Sequence, residues 1–141
     1  MEKAPLRLQR CPANPILRPD PGSRWQSLVR TNPAVWQDAD TGKIMMLYRA
    51  AGDDEEHRVY FGLAESDDGI DFRPCSDEPC FSPSADGFDA GCVEDPRVIK
   101  MGEWYYVTYA ARAFPPGRYW LKKANEPFSG AGMPAEAPRC L

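Results

Sequence analysis

The feature that most restricts the fold of this chain is an internal repeat. Asn32-Pro33-Ala34-Val35, then Gly42, then Ile44 to Ala51 reads like Asp95-Pro96-Arg97-Val98, then Gly102, then Trp104 to Ala111. Both copies run polar residue, proline, any residue, valine, glycine turn, apolar strand and a pair of alanines. They lie 63 residues apart from Pro33 to Pro96 and 60 apart from Ala50 to Ala110. Self-similarity at such a period marks a repeat architecture, and a unit of this length accommodates four short strands. Four-stranded sheets set radially about an axis are the blades of a β-propeller, whose usual repeat is roughly 40 to 50 residues. A chance likeness between two hairpins is the competing reading.

The residues around the two copies point to an all-β fold. The clearest strands are Ile44 to Arg49, Val59 to Ala64, Arg97 to Lys100 and Trp104 to Tyr109, rich in aromatic, β-branched and large apolar side chains. Turn signals separate them: Asp40-Thr41-Gly42-Lys43, Ser66-Asp67-Asp68-Gly69 and Met101-Gly102-Glu103 each put a glycine where a hairpin calls for positive φ. The 15 prolines punctuate the short apolar runs instead of gathering in a linker, and no stretch has the periodicity of an amphipathic helix.

Counted by the repeat, residues 1–123 hold about two blades and the start of a third, followed by an irregular Ala-, Gly- and Pro-rich tail over 124–141. So few blades cannot close a ring and would leave sheet edges unpaired, so the chain is expected to be the N-terminal part of a longer propeller. A net charge of -4 and the absence of any basic run argue against nucleic acid or an anionic membrane as partner. No apolar stretch is long enough to span a bilayer and Met1 to Arg10 lacks a signal-peptide core, so the expected location is the cytoplasm. The five cysteines are odd in number and lack C-x-x-C spacing, which predicts reduced thiols and no metal site. The single histidine, His57, follows Asp53-Asp54-Glu55-Glu56, a run that predicts a solvated loop and makes a histidine-based triad improbable.

Several segments occurring in order along one chain resemble glycoside hydrolase family 130, the β-mannoside phosphorylases and related mannosidases. They are Asn14-Pro15-Ile16-Leu17, Asn32-Pro33-Ala34-Val35, Leu47-Tyr48-Arg49-Ala50, the run from Gly62 through Ser66, Asp68 and Gly69 to Phe72, and Glu94-Asp95-Pro96-Arg97 followed by Tyr105 to Tyr109. Related propellers that cleave fructosides or arabinosides share parts of this pattern. The resemblance implies a five-bladed propeller with the sugar in its central funnel, a β-mannoside oligosaccharide as substrate, inorganic phosphate as co-substrate and no cofactor. A homo-oligomer is compatible with it.

Glycoside cleavage needs an acid to protonate the departing oxygen and a nucleophile on the opposite face of the sugar. Asp95 is the candidate acid. Pro96 is expected to confine it to extended backbone at the start of a strand, which would fix the carboxyl in place. Its bland alternative is a strand cap paired with Arg97, whose charge would depress the pKa of the acid and weaken it as a donor. The resemblance implies that Asn32 and Arg49 contact the sugar, and Glu94 and Arg97, flanking the acid in one motif, are assigned to the same binding set. In the resembled phosphorylases the proton passes through a sugar hydroxyl and phosphate is the nucleophile, giving mannose 1-phosphate with inversion. A mannosidase using water would need a second carboxylate roughly 6.5 to 9.5 Å away, a role that strand alternation denies to Glu94. A non-catalytic carbohydrate-binding or assembly fragment is the third reading. Arg112 and the loop from Phe114 to Trp120 could add an anion contact or a rim aromatic, while Trp36, Trp104 and Tyr105 to Tyr109 suit core packing better than sugar stacking.

Overall fold

Ile44 to Leu47 is apolar at every position, a composition that suits a strand covered on both faces. In the computed structural model, which describes residues 7–117, this run opens β2 (Ile44–Ala51), and β2 lies between β1 (Val29–Gln37) and β3 (Val59–Ser66), antiparallel to each. The short β4 (Arg73–Pro74) pairs with β3 and completes a four-stranded meander. A second antiparallel hairpin follows, β5 (Cys92–Met101) with β6 (Trp104–Arg112), joined to the meander where Val59 of β3 pairs in parallel with Cys92. No α-helix occurs among the described residues, and no helix there is long and apolar enough to cross a membrane.

The meander is one complete blade and β5–β6 is the opening hairpin of the next. Against the expected two blades and start of a third over residues 1–123, the described strands amount to one blade and half of another. Residues 118–123 and the 124–141 tail lie outside the described residues, as do Tyr119 and Trp120. Gly42 and Gly102 turn the two inner hairpins at φ 74° and 61°, in the left-handed region that their patterns called for. None of Cys11, Cys75, Cys80 and Cys92 forms a disulfide.

The repeat is a structural one, and its centre is a pair of matching β-bulges. Between Thr31, opposite Arg49, and Ala34, opposite Leu47, β1 carries two residues against one on β2. Between Glu94, opposite Ala110, and Arg97, opposite Thr108, β5 does the same against β6. The extra residues are Asn32-Pro33 and Asp95-Pro96, where proline is tolerated because the ladder is already interrupted. The ladders equate Tyr48 with Tyr109 and Arg49 with Ala110, one residue out of step with the sequence match of Ala50 to Ala110. The expected strand at Arg97 begins earlier, at Cys92, because the chain runs through the bulge as β-structure.

Period-two alternation on β2 divides the core. Met46, Tyr48 and Ala50 face one side with Ala64 and Phe72, covered by Trp25 of the N-terminal segment, whose ring stacks on Tyr48 at 6.2 Å. Leu47 faces the other side with Ala34, Phe61 and Val93, so this second cluster joins the blade to the next hairpin. Its aromatic members meet edge to face, Phe61 with Tyr109 at 6.1 Å and Phe81 with Tyr109 at 5.4 Å, and Trp36 packs on Tyr105 at 5.8 Å. Trp36, Tyr105 and Tyr109 thus serve packing, whereas Trp104 and Tyr106 are exposed.

Tyr48 is fully buried, its hydroxyl donates to Gln26 Oε1 at 2.9 Å, and its ring lies directly over Gly62, its partner on β3. A Cβ at position 62 would overlap the end of that ring. Gly62→Ala is therefore expected to destabilise the fold by about 1 to 3 kcal/mol, the range for overpacking a core, read as a lower urea midpoint at unchanged slope. An unchanged midpoint would show that the ring relocates freely.

Candidate active site

The two bulges set the geometry of the site. Each places an Asx residue immediately before a proline, and each Asx residue adopts positive φ: 45° at Asn32 and 51° at Asp95. Extended backbone at Asp95, the expectation drawn from Pro96, is thus not what occurs, because the bulge puts this one residue in the left-handed region while the strand continues past it. Asn and Asp tolerate the left-handed region better than other side chains, yet each such residue still costs on the order of 1 to 2 kcal/mol. Strain of this kind gathers at functional sites, where the surrounding structure holds it in place.

The outcome is convergence. Asn32 Nδ2 donates to Asp95 Oδ1 at 2.6 Å, and Arg49 Nη1 donates to the same oxygen at 3.0 Å. Thr31 Oγ1 donates to Asn32 Oδ1 at 3.0 Å. Arg49 turns its other terminal nitrogen, Nη2, to Glu94 Oε1 at 3.2 Å, and Arg112 Nε lies 3.6 Å from Glu94 Oε2. Asn32, Arg49, Glu94 and Asp95, drawn from β1, β2 and β5, therefore form one cluster.

Glu94 and Asp95 grip one guanidinium, although strand alternation would send adjacent side chains to opposite faces. The positive φ at Asp95 cancels that alternation, correcting the sequence expectation for Glu94. Burial separates their situations: the Glu94 side chain is 10% exposed and that of Asp95 is 41% exposed. Glu94 backs the site and Asp95 fronts it. Arg97 is exposed and bonds through Nη1 to the carbonyl oxygens of Asp95 and Pro96, at 3.3 and 2.8 Å, and not to the Asp95 carboxylate. It braces the bulge backbone and stands apart from the other four.

The carboxyl of Asp95 is held below its ordinary pKa chiefly by the hydrogen bond from Asn32, with Arg49 next and the more distant charge of Arg97 last. The depression expected from Arg97 arises mainly from the other two residues. His57 is likewise displaced from its expected place. It is 3% exposed, its backbone N–H donates to Asp54 Oδ1 at 2.8 Å, and its ring Nδ1 lies 3.3 Å from the Gly52 carbonyl. Burial pushes its imidazole below the usual value, and the charges of Arg49 and Glu94 are close enough to act on it. The acidic run preceding it turns the chain so that the ring is covered, a placement that polarity alone does not reveal.

A cleft of about 280 Å³, lined by Asn14 to Leu17, Arg30, Thr31, Pro33, Met46 and Tyr48, borders the cluster at Thr31, and an apolar one of about 320 Å³, lined by Leu47, Phe61, Phe81, Val107 and Tyr109, shares no residue with it. The polar cluster has the chemistry of the other kind of site: an amide and a guanidinium that can direct hydrogen bonds to hydroxyls, beside a carboxyl able to exchange a proton.

The bladed fold belongs to the class of five-bladed β-propellers. Residues 7–126 match the family described as beta-1,4-mannooligosaccharide phosphorylase, and the chain belongs to it, glycoside hydrolase family 130. Two curated relatives come from Thermoanaerobacter sp. (strain X514). The 1,2-beta-oligomannan phosphorylase is 32% identical over 74% of this chain and 36% of its own length. The Beta-1,2-mannobiose phosphorylase is 31% identical over 82% of this chain and 40% of its own. Among solved structures, a family 130 protein reported with glycoside hydrolases that target beta-1,2 mannosidic linkages in Candida mannan matches with a TM-score of 0.62 and 29% identity, covering 77% of this chain and 34% of that one. A glycosyl hydrolase from Bacteroides ovatus matches with a TM-score of 0.60 and 25% identity over 77% and 34%. The chain thus spans about two fifths of the length of its curated relatives or less.

Burial decides how the two carboxylates respond to neutralisation. Glu94→Gln leaves the nearly buried Arg49 without its covered partner and is expected to cost about 2 to 4 kcal/mol, whereas Asp95→Asn, at a wetter pair, should stay within about 1 kcal/mol. Because the pKa of Asp95 is lowered by folding, its stabilising contribution is present above the unfolded value near 3.9 and fades as pH falls through the folded one. Asp95→Asn should therefore flatten the loss of stability below about pH 4. Denaturant titrations across pH check both expectations, and equal costs for the two variants would contradict the ranking.

Proposed function

We propose that this cluster is the cleavage subsite of an inverting phosphorylase that breaks a β-mannosidic bond with inorganic phosphate and releases mannose 1-phosphate. The observation that carries the proposal is the meeting of Asn32 on β1, Arg49 on β2 and Asp95 on β5, from two successive blades, around one carboxylate oxygen. Asp95 is the acid. Asn32 and Arg49 bind sugar hydroxyls, Glu94 sets the angle of Arg49, and Arg97 supports the backbone that carries the acid. The proposal is made at the level of the β-mannosidic bond, since the family description names β-1,4 linkages and the curated relatives β-1,2.

The chemistry balances with one protein carboxyl. A phosphate oxygen forms its bond to the anomeric carbon as the glycosidic bond breaks on the opposite face, and the departing oxygen receives a proton that originates on Asp95. Asp95 ends as a carboxylate, the form that Asn32 and Arg49 stabilise in the free protein. For the forward reaction that preference has to be offset in the complex. Bound sugar does so by taking up part of the hydrogen bonding of Asn32 and Arg49 and by excluding water from the carboxyl, both of which raise its pKa.

In a protein that carries this segment within a complete five-bladed ring, β-mannobiose and phosphate are expected to give mannose 1-phosphate in proportion to phosphate, and Asp95→Asn should reduce turnover by about 10²- to 10⁴-fold while the fold persists. Release of free mannose at a rate indifferent to phosphate would replace phosphorolysis by hydrolysis. Sugar binding without turnover in that complete protein would leave a carbohydrate-binding module in place of the enzyme.

A further inference from the structure

The amide of Asn32 has two ways to face Asp95, and its backbone conformation does not choose between them. Thr31 does. Its hydroxyl donates to Asn32 Oδ1, which leaves the Asn32 NH2 group facing the carboxylate. Thr31 also stands directly opposite Arg49 in the β1–β2 ladder, so one cross-strand pair governs both donors to Asp95 Oδ1. We propose that Thr31 is a positioning residue that fixes the orientation of the Asn32 amide, so that two donors occupy Oδ1 of Asp95 and the proton of the acid is carried on Oδ2. The second half of this statement rests on the reading of Asp95 as the acid.

The need for such a residue arises when the carboxyl is protonated. While Asp95 is ionised, its charge alone keeps the NH2 group turned inward. Once it takes up a proton that bias disappears, and a flipped amide would accept the proton from Oδ1 and hold it away from the substrate. A hydroxyl donating to Asn32 Oδ1 opposes the flip at that moment. The other charged groups around Asp95 are Arg49 on β2, Glu94 and Arg97 on β5, Arg112 on β6 acting through Glu94, and His57 from the β2–β3 connection beside Arg49 and Glu94. The described contacts from β1 to this carboxyl are neutral, and all these charges are unchanged by substitutions at Thr31.

The test is a carbon-13 carboxyl titration of Asp95 in the full 141-residue chain, its signal assigned by loss in Asp95→Asn. Thr31→Val keeps the shape and removes the hydroxyl, so the protonated form gains the flipped amide and the midpoint should move upward by several tenths of a pH unit. Thr31→Ser keeps the hydroxyl and should titrate as the parent. If Thr31→Val fails to fold, Thr31→Ala replaces it in the same comparison. An unshifted midpoint without the hydroxyl, or an equal shift in Thr31→Ser, overturns the proposal. In the phosphorolysis assay the hydroxyl-free variant should lose kcat with KM within about twofold of the parent. Absence of phosphorolysis in a protein carrying this segment within the complete ring would sink the enzymatic reading and with it the assignment to Oδ2, while the titration decides the role of Thr31 separately.

Discussion

The hydrogen bond between Asn32 and Asp95 is the contact on which the site depends, because it joins two strained points that neither blade would keep alone. Each Asx-Pro pair interrupts its ladder, gives up pairing at the bulge and holds a non-glycine residue at positive φ. Isolated, such a bulge would tend to relax. Facing each other across the β1–β5 contact, the two offset part of that strain through a 2.6 Å bond to a charged acceptor, the stronger kind of hydrogen bond. The repeat in the sequence therefore has a direct structural consequence: one device used twice brings an amide and a carboxyl together from points 63 residues apart.

What was readable in the sequence follows from that symmetry. The polar-Pro-x-Val pattern, the turn glycines and the apolar runs of β2 and β3 depend on local chemistry, and local chemistry is what a sequence displays. Asn32, Arg49 and Asp95 were legible as a set through the family pattern. The bulge itself was not. Proline after Asp95 argued for extended backbone by a rule that holds for regular strands, and the two-against-one pairing that overrides it appears only when the partner strand is in place. The same omission misdirected Glu94, since alternation was applied across a residue where the backbone does not alternate. His57 was misread for a different reason: the acidic run before it is polar and mostly exposed, but the turn it forms, closed by Asp54 accepting from the His57 backbone N–H, carries the ring inward.

The blades also divide their labour by position. At the ladder position that holds Arg49 in the first blade, the second has Ala110, and opposite both bulges stands a tyrosine. Tyr48 packs on Gly62 and against Trp25, while Tyr109 packs between Phe61 and Phe81 and donates to Asp89 at 2.9 Å. The conserved geometry thus supports packing at the tyrosines, and divergence one residue away places a single guanidinium where the two bulges meet. An arginine at both positions would set two cations against the pair of carboxylates from the side where only one can be covered.

Arg49 accordingly acts as the balance of the site. One guanidinium serves two carboxylates of unequal burial, and the unequal burial decides which interaction yields. Glu94, covered and also close to Arg112, cannot turn to water when Arg49 shifts, so its partnership is the fixed one. Asp95 is wet enough to be solvated when its share of Arg49 is withdrawn, so that bond can be given up to an incoming ligand at small cost. Of the two ion pairs that share this guanidinium, the one to Asp95 is therefore the one that yields first.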